Sequence, residues 1–152
     1  MQLIHTSPEL ITKILDDGKF GSFLFFSCNE YVTTAGSYVT YSIDISDEDV
    51  IDVLQLFYHK DAIKLNDLIS DVEYMCGVDS DTAEALLEQS VSLFNISSSV
   101  DSDSMGEIDW RLQRLSADAG KLLDYRVISM RDEQGTAYMI DMLDKESDLI
   151  LV

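Results

Sequence analysis

The stretch Ile128–Ile140, "ISMRDEQGTAYMI", sets one apolar run on either side of the polar knot Arg131-Asp132-Glu133-Gln134-Gly135-Thr136. Apolar runs flanking a short segment that contains glycine read as two strands joined by a turn. The knot has two readings. In a chain with 29 acidic residues, an acid in a polar turn is ordinarily a solvated one. An acid fixed at a strand end can also stand at the mouth of a site.

Outward from that pair, "YRVISM", "TAYMIDML" and "DLILV" read as three C-terminal strands. At the other end, "QLIH" is a short strand, and "SFLFFS" is a continuous apolar run of the length expected for a strand buried on both faces. From Tyr38 to Ile45 the pattern alternates, with Val39, Tyr41, Ile43 and Ile45 on one face. Ser7-Pro8-Glu9 offers a hydroxyl cap followed by proline and Gly18 a stop, so a helix is predicted over 8–17. Ser46 with Asp49 resembles a capping box, and Val50, Val53, Leu54 and Phe57 follow at helical spacing, predicting a second helix.

Two more helices are expected at 63–76 and 80–95, with Gly77 ending the first and an aspartate capping the second. After the serine- and aspartate-rich loop "NISSSVDSDSMG", helix resumes near Ile108, with Leu112, Leu115, Ala119 and Leu122 at steps of three and four. The order is strand, helix, strands, helices, strands, without regular βαβ alternation. The expected fold class is α+β, in a single domain spanning 1–152.

Composition narrows the function. A chain of 152 residues, 46% hydrophobic, can bury one sizeable core. Ten Lys+Arg against 29 Asp+Glu give a formal net charge of −19, a field that repels nucleic-acid phosphates and anionic lipid and attracts basic partners. Direct nucleic-acid binding and membrane association are therefore not expected. No apolar stretch approaches the roughly 20 residues needed to cross a bilayer, and "MQLIHTSPEL" does not resemble a leader, so a cytoplasmic protein is expected. Cys28 and Cys76 lack paired spacing, which argues against a disulfide framework or a zinc site.

"DSDSMGEID" approaches a calcium loop but puts Met105 at its fifth position and Leu112 at its twelfth, where a bidentate glutamate is needed. No metal is expected there. Phosphate-cradling glycine loops, Gly-x-Ser-x-Gly elbows and His-Glu-x-x-His helices are absent from the sequence. Of the two histidines, His59 reads as a surface or helix-end residue. His5 closes the first strand, just before the hydroxyl residues Thr6 and Ser7.

"LIHTS", "FGSFLFFS" and above all "WRLQRLSADAGKLLDYRVISMRDEQGTAYMI" resemble the small anti-CRISPR ADP-ribosyltransferases that phages use against the type I-F surveillance complex. The C-terminal likeness rests on Trp110, Leu112, Gln113, Arg114, Leu115, Leu123, Tyr125, Asp132, Glu133, Gly135 and Thr136. The resemblance implies a split β-sheet clasping NAD, in the branch whose motifs are a histidine, an aromatic and an acid. By that resemblance His5 binds a ribose of NAD, and Thr6 stands where glycine is common, narrowing the space for backbone approach. Phe25 walls the nicotinamide pocket, Tyr31 or Tyr38 supplies a stacking face, and Asp132 is the catalytic acid, with Glu133 the alternative beside it. The acceptor it implies is an asparagine side chain on a protein subunit of the host's surveillance complex, whose modification blocks target DNA recognition. Two other readings stay open: the charge also suits an acidic DNA mimic acting sterically, and the motifs of the resemblance do not separate an ADP-ribosylating toxin with another host target. Oligomeric state is not legible.

Overall fold

The protein is described by a computed structural model that covers residues 1–30 and 35–152. Two sheets carry the architecture. The first has strand order β1-β3-β7, formed by Gln2–Ser7, Val39–Asp44 and Ile150–Leu151. The second has order β2-β6-β5-β4, formed by Phe23–Phe26, Gly135–Asp141, Val127–Asp132 and Val50–Asp52. All pairings are antiparallel except β4 with β5. The fold is α+β.

Alternation along the strands gives the second sheet two apolar faces. Phe26, Val127, Ile140 and Met142 meet Leu3, Ile43 and Ile45 of the first sheet. Phe23, Ile128, Met130 and Met139 face the other way, against Leu56, Leu65, Ala117 and Ala119. Three helices cover that side: α1 (Asn66–Cys76), α2 (Ser80–Leu87) and α3 (Met105–Leu122). They share their own cluster of Val72, Cys76, Leu87, Leu93 and Leu112. The stop and start between α1 and α2 follow the sequence: Gly77 adopts φ 63° at the end of α1, and the Asp79 carboxylate accepts the Thr82 N–H at 2.8 Å.

Three expectations are corrected. No helix forms over 8–17. β1 runs on through Ser7, whose hydroxyl donates to the Glu9 carbonyl at 2.6 Å rather than capping a helix. Beyond it, backbone N–H groups go to distant side chains: Ile11 donates to the Tyr41 hydroxyl at 2.8 Å and Ile14 to the Glu146 carboxylate at 2.6 Å. Ile14 thereby reaches the inter-sheet core as irregular chain.

The helix expected after Ser46 is instead a 3-10 turn (Asp47–Asp49), strand β4 and a second 3-10 segment (Val53–Tyr58). Ser46 makes no side-chain cap. The β-branched Val50 and Ile51 pair in parallel with Val127 and Ile128, so tertiary pairing overrides the helical spacing. The third correction shortens the helix expected to Asn95. α2 ends at Leu87, Gln89 turns the chain at φ 60°, and a 3-10 turn follows at Leu93–Asn95.

No described helix is long and apolar enough to cross a membrane. Leu3 is fully buried between the sheets. Leu3→Ala should cost roughly 2–5 kcal/mol, the range for truncating a buried leucine, read as a lower denaturation midpoint at unchanged slope.

Candidate functional site

Among the described residues, one backbone bridge joins the sheets. Ile4 and Ser27 exchange two backbone hydrogen bonds of 2.8 and 2.9 Å. β2 pairs with β6 only as far as Phe26 opposite Tyr138, then turns toward β1. β6 continues back to Gly135 along β5, so among the described residues Gly135–Ala137 has no strand partner on the side away from β5. A cleft of about 730 Å³ opens at this divergence, within the roughly 300–1,000 Å³ of small-molecule and cofactor sites. Its walls are the end of β1 (Ile4–Thr6), β2 with the following Cys28–Glu30, Phe20, and the start of β6.

His5 Nδ1 lies 2.7 Å from the Phe25 carbonyl oxygen. A carbonyl only accepts, so Nδ1 carries the proton and donates, and in the neutral ring Nε2 is left as an acceptor. Burial pushes the His5 pKa below 6.5, opposed by the hydrogen bond to Phe25. At neutral pH the ring is uncharged. It also stacks at a tilt on Phe26, 5.3 Å between centroids. The Phe25 ring meets Phe20 edge-on at 4.8 Å, which fixes the aromatic wall against the helix-side core.

Asp132 ends β5 opposite Gly135, with Glu133 and Gln134 forming the two-residue turn. Its Oδ1 accepts the Gln134 N–H at 2.8 Å, and Gly135 takes φ 121°, a value for which glycine is suited. The carboxylate is thereby held by its own turn while lining the cleft. Arg131, its neighbour, points elsewhere and pairs with Asp52 at 3.1 Å.

Of the residues singled out in the sequence, the cleft brings together His5, Thr6, Phe25 and Asp132. Glu133 lines a different, adjoining cavity. Tyr38 is 42% exposed and lies outside the cleft walls. Tyr31 lies outside the described residues. Sequence reasoning missed Phe20, Glu30 and Tyr138 as wall residues. Tyr138 was accessible to it, since it alternates with Thr136 along β6. Phe20 and Glu30 lie outside the strands, and no periodicity marks them.

Two diverging sheets covered by helices are consistent with an α+β ADP-ribosyltransferase-like fold. The family of the "Anti-CRISPR Type I-F ADP-ribosyltransferase AcrIF11" matches residues 1–146, and the chain belongs to that family. It is an NAD-dependent mono-ADP-ribosyltransferase of the anti-CRISPR class. Among solved structures, a crystal structure of an anti-CRISPR protein is similar over 92% of this chain and 88% of the other, with TM-score 0.59 and 25% identity. No curated protein matches significantly.

The His5 pKa gives a pH prediction. Its folded-state pKa is lowered, so as pH falls below 6.5 the unfolded chain takes up the proton first and stability is lost toward the folded-state pKa. Above 6.5 the contribution is complete and flat. Denaturant titrations of wild type and His5→Asn at pH 5.5, 6.5 and 7.5 should therefore differ more steeply with pH in the wild type, and only on the acid side.

Proposed function

We propose that the cleft between the diverging sheets binds NAD and that the protein transfers ADP-ribose from it to a side chain of a type I-F CRISPR surveillance-complex subunit. The observation that carries this reading is the convergence of His5, Phe25 and Asp132 on one cleft from three separated strands. The proposed acceptor is an asparagine, and its modification blocks recognition of target DNA.

NAD supplies the glycosidic bond and its nicotinamide leaving group. Breaking such a bond builds positive charge on the ribose, as in glycoside hydrolysis. The chain's own groups suit that demand. Asp132 offers a carboxylate held by the Gln134 N–H, so little reorganisation is needed to stabilise the growing charge and hold a ribose hydroxyl. A neutral His5 accepts a ribose hydroxyl at Nε2 without adding opposing positive charge. Phe25 and Phe20 exclude water from the nicotinamide side with rings that hold each other in place. Thr6 lines the same wall, where it narrows the backbone approach. The net charge of −19 steers the enzyme toward basic surfaces, which nucleic-acid-binding complexes display.

Incubating the protein with a type I-F surveillance complex, with and without NAD, and measuring intact subunit masses tests the proposal. The expected result is one ADP-ribose added to one subunit only when NAD is present. Asp132→Ala should lower the rate by on the order of 10² to 10³ while the fold persists. An unmodified complex whose DNA binding is nevertheless blocked would mark a steric acidic mimic instead.

A further inference from the structure

A second cavity, of about 660 Å³, lies on the helix side of the β5–β6 hairpin, between that hairpin, the segment after α2, and α3. It shares Phe25, Asp132 and Ala137 with the first cleft. We propose that this second cavity is the acceptor subsite, receiving the acceptor side chain and the basic loop of the target protein that carries it. The inference rests on the NAD reading of the first cleft.

The argument begins with placement. Group transfer needs donor and acceptor held side by side, since fixing two reactants in one geometry replaces an unfavourable encounter. The two cavities share Phe25, Asp132 and Ala137 in their walls, so an acceptor in the second lies beside the ribose and the acid proposed to stabilise it. The C1′–N bond to nicotinamide breaks with its electron pair passing to the ring. A lone pair of the acceptor atom forms the new bond to C1′, and the acceptor's proton goes to water.

The lining suits a polar side chain on a positively charged segment. Gln89, Ser90 and Gln113 supply amide and hydroxyl groups over a floor that includes Leu112 and Met130. Asp109, Asp132 and Glu133 supply three carboxylates, and Arg131, the cation of the wall among the described residues, is drawn aside to Asp52. Among the described residues no cation pairs with any of the three. A basic loop meets complementary charge there, whereas an acidic one is repelled.

Gln89 adds a separate observation. It holds the left-handed conformation at φ 60°, uncommon for a residue with a side chain, and turns its amide inward to donate to the Met130 sulfur at 3.6 Å. That conformation is the C-terminal cap of α2, in which the Ser90 N–H bonds the Ala85 carbonyl at 3.0 Å and the Gln89 N–H the Leu86 carbonyl at 3.2 Å, and it sets the Gln89 side chain on the cavity wall.

Two variants away from the first cleft test the proposal. Ser90→Trp plugs the cavity from an exposed position, and Asp109→Lys reverses charge on its helical wall. Calorimetry with NAD and intact-mass transfer assays with the surveillance complex are run on each. The expected result is NAD affinity within about twofold of wild type and transfer reduced at least tenfold in both. Wild-type transfer rates in both variants, with NAD affinity intact, overturn the inference alone. Wild-type protein that binds no NAD overturns the reading of the first cleft, and this inference with it.

Discussion

The structure depends on where β2 changes partners. Up to Phe26 it is bonded to β6, and one residue later Ser27 is bonded to Ile4 of β1. Ser22 bonds Met142 through the edge that faces β6, so alternation turns the backbone groups of Ser27 to the opposite edge, toward β1, and β2 is the strand from which the two sheets diverge. The separation leaves the start of β6 open. Every group assigned to the site is placed by that event: His5 sits next to the bridging Ile4, Phe25 next to the last paired residue, and Asp132 at the end of the strand that β6 follows after parting from β2. The hydrogen bond from His5 Nδ1 to the Phe25 carbonyl spans the junction at 2.7 Å and ties ring orientation to strand divergence.

How much of this was legible depended on the range of the interactions involved. The hairpin in Ile128–Ile140 was readable because its two-residue turn and alternating strands are local; all six residue pairs from Val127↔Ile140 to Asp132↔Gly135 follow from them. The α1–α2 junction was readable for the same reason, through Gly77 and Asp79. The segment after Ser7 was misread as a helix because its N–H partners, Tyr41 and Glu146, lie 30 and 132 positions away. Val50–Asp52 was misread because helical spacing and a short parallel strand are indistinguishable without β5 beside them. The site divided along the same line. His5, Phe25 and Asp132 were named through family resemblance, with Glu133 kept as the alternative acid; in the structure Asp132 lines both cavities and Glu133 only the second.

The acidic charge and the site serve different steps. A field set by 29 acids and ten basic residues acts over the Debye length and brings the enzyme to basic surfaces. The proposed chemistry relies on short contacts, for which a neutral His5 and a turn-held Asp132 both line the cleft. Steering raises encounter rates without fixing which side chain is modified; in the proposed mechanism that choice belongs to the geometry around Asp132.

The most direct measurement is a crystal structure of the protein with a non-hydrolysable NAD analogue. The account predicts the analogue in the cleft where β2 leaves β6, with a hydroxyl of the nicotinamide-side ribose within hydrogen-bonding distance of the Asp132 carboxylate, and His5 Nε2 accepting from a ribose hydroxyl. An analogue bound elsewhere, or bound in this cleft with its ribose out of reach of Asp132, would contradict it.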